Sequence, residues 1–202
     1  TLDIPGLLGW WKLDEGTGTS AADSSGNGRT GTLRGGAAWT SGMKNIAIAC
    51  DGIDARVSSA EITSTNTFTL SAWIKPTDVV NTYAIMGQRG ASRTWAFYLR
   101  PTAQLGFSLA DVDDFNSSSA GMVAGVWQHV AVTLIANDIV LYRNGVRVYA
   151  VTMSSSITTD GTSLYFGTSN DDGSPLNGSI DDVRIYNRAL TDAEVQMLYN
   201  YP

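Results

Sequence analysis

The segment from Gly178 to Tyr199 constrains the fold most, because its hydrophobic period changes once along its length. Residues 180–186 follow the period-2 pattern of a strand with two unlike faces. One face carries Ile180, Asp182, Arg184 and Tyr186, and the other carries Asp181, Val183 and Ile185. The adjacent carboxylates Asp181 and Asp182 stand at the entrance of this strand.

A short helix is predicted directly after this strand. Thr191 and Glu194 have the spacing of a helix-capping box, and Val195, Leu198 and Tyr199 fall on one helical face. A terminal strand that is followed by one short capped helix is typical of the closing element of a β-domain.

Short alternating segments separated by turn residues recur along the rest of the chain. Residues 68–75 alternate and stop at Pro76, residues 95–100 and 104–110 are spaced as a hairpin, and Asn144-Gly145 is a strong hairpin turn signal. With 21 glycines among 202 residues, the sequence predicts an all-β fold: a sandwich of two antiparallel sheets with a short C-terminal helix. No linker or repeat divides the chain, which predicts one domain over residues 1–202.

Composition excludes several classes of protein. A net charge of −6 and a single cysteine, Cys50, argue against nucleic-acid binding, an intramolecular disulfide and a multi-cysteine zinc site. No apolar run has the length of a membrane span, so membrane insertion is not expected. The chain begins at Thr1 rather than Met, as a mature segment or an excised module does, and we expect it to be secreted or displayed at a cell surface.

An ordered set of motifs spans residues 7 to 201 and resembles a known family. The motifs are Trp11-Lys-Leu-Asp-Glu-Gly-Thr-Gly, Asp23-Ser-Ser-Gly-Asn-Gly, Cys50-Asp-Gly-Ile-Asp-Ala-Arg-Val, Phe68-Thr-Leu-Ser-Ala-Trp-Ile-Lys-Pro, Trp127-Gln-His-Val-Ala-Val-Thr, Tyr142-Arg-Asn-Gly and Gly178-Ser-Ile-Asp-Asp-Val-Arg-Ile-Tyr-Asn-Arg-Ala-Leu. Together they resemble the laminin-G-like jelly roll of the concanavalin A-like lectin/glucanase superfamily, in the version appended to bacterial secreted carbohydrate-active enzymes. The resemblance implies two sheets, one of them concave, and often a calcium ion at the rim. The fold serves as a carbohydrate-binding module, an adhesion domain or a spacer.

Candidate calcium ligands lie in the turn-rich segments. Calcium prefers six to eight oxygen ligands from carboxylates, amides, carbonyls and water. The predicted set is Asp23, Asn27, Asp51 and Asp181. The alternative is that Asp23 forms an Asx-turn and that Asp181 pairs with a neighbouring arginine.

Catalysis is not expected. Glycosidases of the resembled superfamily carry two glutamates around an aspartate on one strand, whereas Glu15, Glu61 and Glu194 lie in separate places here. Asp111, Asp113 and Asp114 offer paired carboxylates only on a polar loop, predicted over residues 111–120. The single histidine, His129, lies in mid-strand as a hydrogen-bonded sheet residue would.

A sugar site needs aromatic faces flanked by fixed polar groups. If Phe97 and Leu99 face the core, Tyr98 and Arg100 face the opposite side of the strand. Loop residues would border that face, and the predicted ligand set is Trp95, Tyr98, Arg100, Arg89, Asp113 and Phe115. The alternative is that the aromatic side chains only cover the sheet and that the arginines are solvated.

The sequence therefore predicts a non-catalytic carbohydrate-binding module, calcium-stabilised and monomeric, from a secreted bacterial polysaccharide-active protein. It would bind a polysaccharide or oligosaccharide and be attached to a catalytic domain in the full-length protein. The alternative function is a structural or adhesion module that contacts protein or spaces domains.

Overall fold

A computed structural model describes residues 3–62, 66–88, 90, 94–157, 163–170 and 173–202. In this part of the chain, antiparallel strands form two sheets that pack face to face, and a short helix ends the fold. The predicted all-β sandwich with a C-terminal helix is confirmed. Within the described residues, no helix has the length and apolar character needed to cross a membrane.

The two sheets are built from strands that run along most of the described chain. In chain order the elements are β1 (Leu7–Trp11), β2 (Ser20–Ala21), β3 (Gly31–Arg34), β4 (Ala38–Ser41), β5 (Ile46–Asp51), β6 (Arg56–Ser59), β7 (Thr67–Pro76), β8 (Tyr83–Gln88), β9 (Trp95–Arg100), β10 (Gln104–Leu109), β11 (Asp113–Asn116), β12 (Gln128–Ile135), β13 (Asp138–Arg143), β14 (Val146–Thr152), β15 (Leu164–Phe166), β16 (Asn177–Tyr186) and α1 (Asp192–Asn200). The first sheet has the spatial order β14-β13-β12-β7-β16-β5-β4, with β1 also paired to β16. The second has the order β11-β10-β9-β8-β15-β6-β3-β2.

The core lies between the two sheets and follows from strand alternation. Every second residue of a strand points to the same side, so each sheet contributes its apolar positions to a shared interior. Trp11 of the first sheet meets Phe166 of the second edge to face, with ring centroids 4.7 Å apart. Burying one such large side chain stabilises a fold by roughly 1.5–3 kcal/mol.

Local turn chemistry explains the hairpins. Strands β9 and β10 pair antiparallel from Arg100 opposite Gln104, as predicted, and a short 3-10 turn, Pro101–Ala103, joins them. Asn144 and Gly145 adopt φ angles of 49° and 75°, which match the two central positions of a tight hairpin turn between β13 and β14. These hairpins confirm the turn signals in the sequence.

The expected ten-residue polar loop at 111–120 is partly a strand. Residues 113–116 form β11, which pairs with β10 at the edge of the second sheet. Phe115 lies opposite Phe107 and joins the core. The inward-facing aromatic ring explains why this polar segment extends the sheet.

A β-bulge interrupts the closing strand and overturns the strict alternation predicted for it. In the pairing with β7, Asp181 lies opposite Trp73 and Arg184 opposite Ser71, and the register shifts between them. Asp182 takes a φ of 46° inside the bulge. An extra residue on one strand reverses the parity that follows it, so Ile180 and Val183 both reach the core.

The terminal helix begins and packs as predicted. Thr191 and Glu194 form a reciprocal capping box at its start. Val195 and Leu198 are buried in a second apolar cluster on the outer side of the first sheet. Tyr199 stacks on Trp73 with ring centroids 5.6 Å apart, so the helix covers this part of the sheet.

Candidate functional site

The candidate site is a polar cleft on the outer side of the first sheet, beside β1 and β16. Its volume is about 690 Å³, within the range of roughly 300–1,000 Å³ that small-molecule sites occupy. The cleft is lined by Trp10, Lys12, Asp14, Lys44, Asn45, Asp181, Asp182, Arg184, Asn200, Tyr201 and Pro202.

Trp10 provides the aromatic surface of the cleft. It directly precedes Trp11 on β1, and because a strand alternates its faces, only one of two adjacent tryptophans can enter the core. Trp11 is fully buried there, while Trp10 is half-buried on the outer side. The Trp10 indole Nε1 donates a hydrogen bond of 2.6 Å to Asp182 Oδ1, which fixes the plane of the ring.

Asp182 and Arg184 form the rigid floor beside this ring. Arg184 Nε donates to Asp182 Oδ1 at 3.0 Å, and Arg184 Nη2 lies 2.9 Å from Oδ2. The Arg184 guanidinium carbon lies 4.8 Å from the centroid of the Trp10 ring. Burial raises the pKa of Asp182, although the adjacent guanidinium lowers it. The planar fork of arginine thus holds the carboxylate in a fixed orientation.

Asp181 supports the neighbouring turn of the cleft wall. Its side chain is buried, and its Oδ2 accepts hydrogen bonds from the backbone amides of Met43 at 2.9 Å and Lys44 at 3.3 Å. Its Oδ1 accepts from the amide of Asp182 at 2.7 Å. Burial raises the pKa of Asp181 to about 7. The carboxyl group therefore ties the turn before β5 to β16.

The rim of the cleft supplies movable polar groups. Lys12 Nζ lies 4.5 Å from the centroid of the Trp10 ring, and Lys44 Nζ donates to the carbonyl oxygen of Pro202 at 2.8 Å. Asn45 Nδ2 donates to Asp14 Oδ2 at 3.2 Å. A half-exposed indole surrounded by hydrogen-bonding groups is suited to a ligand that is apolar on one face and rich in hydroxyls at its edge.

A comparison with protein families identifies the family of this chain. Residues 51–196 match the family model Laminin_G_3, described as the concanavalin A-like lectin/glucanases superfamily. The chain belongs to this laminin G family. The resemblance that the ordered motifs indicate is confirmed.

Solved structures share the fold of this laminin G family member. Domain 4 of AbnA, an extracellular arabinanase of family GH43 from Geobacillus stearothermophilus whose structure contains arabinotriose, matches at 23% identity and a TM-score of 0.77, over 96% of this chain and 98% of that one. The binding domain of Paraclostridial Mosquitocidal Protein 1 matches at 19% identity and a TM-score of 0.78, over 96% of this chain. The receptor binding domain of botulinum neurotoxin D matches at 14% identity and a TM-score of 0.72, also over 96% of this chain. The chain spans 52% of each of these toxin domains. A comparison with curated proteins found no significant match.

Two of the predicted sugar contacts of this laminin G family member lie in the core instead. Trp95 is 2% exposed and stacks on Phe107 with centroids 6.3 Å apart, and Phe115 is 7% exposed. Neither ring offers a face to a ligand, so their assignment as ligand contacts is wrong. Both are on inward positions of their strands, where the indole and phenyl rings fill the space between the sheets.

The other predicted contacts do not reach the cleft. Phe97 and Leu99 face the core as expected, which places Tyr98 and Arg100 on the outer side of the second sheet. The Arg100 guanidinium carbon lies 4.3 Å from the centroid of the Tyr98 ring and covers it, leaving Tyr98 3% exposed. Arg100 also pairs with Asp114 at 2.9 Å. The side chain of Asp113 is exposed on β11, and Arg89 lies outside the described residues.

The four predicted calcium ligands serve as turn and strand anchors. Asp23 Oδ1 accepts from the amides of Trp10 at 3.1 Å and Ser25 at 2.9 Å, and its Oδ2 accepts from the amide of Arg29 at 2.9 Å. Burial raises the pKa of Asp23, but a hydrogen bond from the Ser25 side chain and these amide bonds lower it below its ordinary value. Asn27 Nδ2 donates to two carbonyls of β1 at 3.2 and 3.0 Å. The Asx-turn alternative therefore accounts for the bonds of Asp23.

Asp51 and Asp181 likewise direct their oxygens at backbone amides. Asp51 Oδ1 accepts from the amides of Ile53, Asp54 and Ala55 at 2.9, 3.2 and 3.1 Å. The partner of Asp181 is a set of amides rather than the arginine of the alternative interpretation, and Arg184 pairs with Asp182 instead. Across the described ranges, no three Asp, Glu, His or Cys side chains form a group that could hold a metal ion. The predicted set does not fit a single ion, and calcium binding stays a prediction.

The cleft residues Trp10 and Lys12 were missed by sequence reasoning. The signal for Trp10 was the tryptophan pair itself, since one indole of two neighbours on a strand must lie outside the core. Asp181 and Asp182, which the sequence shows as a carboxylate pair, do line the cleft.

Proposed function

We propose that the chain is a non-catalytic carbohydrate-binding module of a secreted bacterial polysaccharide-active protein, and that the sugar binds in the cleft beside Trp10. The observation that carries the proposal is the half-exposed indole of Trp10, held by Asp182 inside a cleft of about 690 Å³. An aromatic ring whose plane is fixed before binding loses little conformational freedom when a sugar stacks on it.

Recognition would combine stacking with hydrogen bonds. The apolar face of a sugar ring packs on the indole, while its hydroxyl groups reach Lys12, Asp14 and Asn45 at the rim. The exposed ring of Tyr201, 62% accessible to solvent, extends the aromatic surface for a further sugar unit. The cleft is large enough for a short oligosaccharide.

The structural neighbour from an arabinanase supports a sugar ligand. The match covers 98% of that domain, which was solved in complex with arabinotriose. It belongs to an extracellular enzyme, which is the setting we propose for this chain. Tethered to a catalytic domain, a monomeric module would raise the local concentration of polysaccharide at the enzyme.

The bonding of the carboxyl groups favours binding over hydrolysis. Glycosidases need two carboxyl groups free to act as acid and as nucleophile or base. In the cleft, Asp181 accepts from three amides, and Asp182 accepts from Trp10 and Arg184. Both carboxyl groups are therefore directed at these protein donors, and they support the cleft wall.

The proposal is tested by glycan binding to matched tryptophan variants. Wild type is first screened on an array of neutral and acidic polysaccharides, and the affinity for the strongest ligand is measured by titration calorimetry. Trp10→Ala should weaken binding at least about tenfold, because truncating a tryptophan that anchors a ligand costs on the order of 2 kcal/mol or more. Trp39→Ala is the control, since Trp39 is half-buried, donates to the carbonyl of Gly18 at 2.8 Å and does not line the cleft.

Trp10→Phe separates binding from folding. This variant loses the bond to Asp182 but keeps an aromatic ring. Because the ring is kept, the variant should fold with a similar melting temperature and retain part of the affinity. Equal affinities in wild type and Trp10→Ala would show that the sugar does not bind in this cleft. Silence of the folded wild type across the array would overturn the proposal and leave the structural or adhesion function as the better account.

A further inference from the structure

Lys12 is a cation at the mouth of the cleft whose charge is left for a ligand. We propose that the cleft selects an acidic glycan whose sugar units carry a carboxylate, with Lys12 binding the carboxylate while Trp10 supports the sugar ring. The inference rests on the proposed function of the cleft and adds the chemical class of its ligand.

The other two cations of the cleft are already engaged. Arg184 makes two contacts with the carboxylate of Asp182, at 2.9 and 3.0 Å. Lys44 donates to the carbonyl oxygen of Pro202 at 2.8 Å. In the described part of the chain, the ion pairs of 4.0 Å or less do not include Lys12, which contacts the Trp10 ring instead. Lys12 is exposed and free to turn toward an anion.

The carboxylates of the cleft oppose an anionic ligand only weakly. The oxygens of Asp181 and Asp182 point at backbone amides, the Trp10 indole and the Arg184 guanidinium. Asp14 accepts from the amide of Ile46 at 3.1 Å and from an amide side chain at 3.2 Å. Burial raises the pKa of Asp181 to about 7, so a part of this group is uncharged at neutral pH. Each of these carboxyl groups is thus engaged by protein donors, which weakens its repulsion of an anion.

The Lys12 ammonium lies over the Trp10 ring, so a sugar that stacks on this ring would displace it toward the ring edge. Lys12 Nζ lies 4.5 Å from the centroid of the Trp10 ring, so a sugar stacked on that ring brings its substituents within reach. A carboxylate on the ring edge can then displace the cation–π contact and form a charge-assisted hydrogen bond.

The overall charge of the protein does not prevent this contact. The net charge is −6, but at an ionic strength of about 0.15 M charges farther than roughly 8 Å are largely screened. A contact between Lys12 and a bound carboxylate acts at a much shorter distance. The local charge at the mouth therefore decides the preference.

The test compares two forms of one polymer that differ only in charge. Short oligomers of polygalacturonate are titrated beside their methyl-esterified, uncharged derivatives in about 0.15 M salt without divalent cations. Wild type should bind the acidic form about tenfold more tightly, the gain expected of one charge-assisted hydrogen bond. Lys12→Gln should bind both forms alike. Lys75→Gln, which changes an exposed lysine outside the cleft lining, should keep the preference.

The outcomes separate this inference from the proposed function. Equal affinity of wild type for the two forms, or a preference that survives in Lys12→Gln, would overturn the selection by Lys12 while leaving a sugar site at Trp10. Binding of neutral array glycans alone would do the same. If wild type binds no glycan on the array, the proposed function and this inference are overturned together.

Discussion

Asp181 is a carboxyl group whose burial strongly opposes its charge. Only 2% of it is exposed, and desolvation raises its pKa to about 7 even though three backbone amides donate to it and lower that value. Its hydrogen bonds join β16 to the turn that forms one wall of the cleft. A single buried carboxyl group therefore makes the stability of this cleft wall depend on pH.

The stability contributed by Asp181 should fall as the pH rises. Because its pKa in the folded state, about 7, lies above the ordinary value of 3.8, the folded state binds the proton more tightly than the unfolded state between these values. The unfolding free energy therefore decreases from about pH 4 to pH 7, by up to about 4 kcal/mol at roughly 1.4 kcal/mol for each pKa unit. Urea unfolding of wild type and Asp181→Ala at pH 5 and pH 8 measures this share.

The difference in stability between these two proteins should be larger at pH 5 than at pH 8. Contributions from carboxyl groups far from Asp181 are common to both proteins and cancel in the comparison, whereas the charge of the adjacent Asp182 is part of the measured share. A difference that is independent of pH would show that Asp181 titrates near its ordinary value, and a larger difference at pH 8 would reverse the sign argued for this residue.

Strand parity shows what single residues reveal in a sequence. The rule that placed Phe97 and Leu99 in the core also applies to Trp95 on the same strand, so its burial was predictable from the same alternation. The adjacent pair Trp10 and Trp11 carries the same information. Parity identifies which tryptophan leaves the core, but it does not show what surrounds that ring.

Side chains fix the N-terminal end of the C-terminal helix. Glu194 accepts from the backbone amide of Thr191 at 2.9 Å and pairs with Arg188 at 2.6 and 2.9 Å. The hydrogen bonds of Arg188 are the largest cause of a pKa for Glu194 lowered to about 2. A charged group at the first turn also interacts favourably with the helix dipole. The ion pair thus anchors the helix to the segment that follows β16.

Glu194→Gln should destabilise the protein at neutral pH and not in strong acid. The folded-state pKa of about 2 lies below the ordinary value of 4.5, so this stabilisation is present above pH 4.5 and is lost as the pH falls through 2. Glutamine keeps the capping-box hydrogen bond, so the expected loss is that of the partly exposed ion pair, up to about 1 kcal/mol. Unfolding free energies at pH 7 and pH 2 test this, and an equal loss at both values would contradict the assigned charge interaction.

The bulge in β16 is the element that sequence patterns did not reveal. Alternation along residues 180–186 was regular in the sequence, but the pairing with β7 inserts an extra residue at Asp182. A bulge depends on the register of the partner strands, which lie far away in the chain. The bulge brings Asp181, Asp182 and Arg184 together at one cleft.

At the scale of the whole molecule, two sheets supply the core and the outer side of one of them supplies the site. Apolar alternation, hairpin turns and the capped helix were enough to predict the sandwich, because each is encoded by neighbouring residues. The cleft is different. Its walls come from β1, the turn before β5, the bulged strand β16 and the residues after α1, so only tertiary pairing brings them together.

Binding of a sugar on Trp10 can be observed through the indole signals of the six tryptophans in a heteronuclear NMR titration with trigalacturonate and with arabinotriose. The Trp10 Nε1–H signal, hydrogen-bonded to Asp182, should shift progressively with added ligand. The signals of the core residue Trp95 and of Trp39, which does not line the cleft, should stay in place. A saturable shift of Trp39 or Trp95 with Trp10 unchanged would place the sugar elsewhere and contradict a site in this cleft.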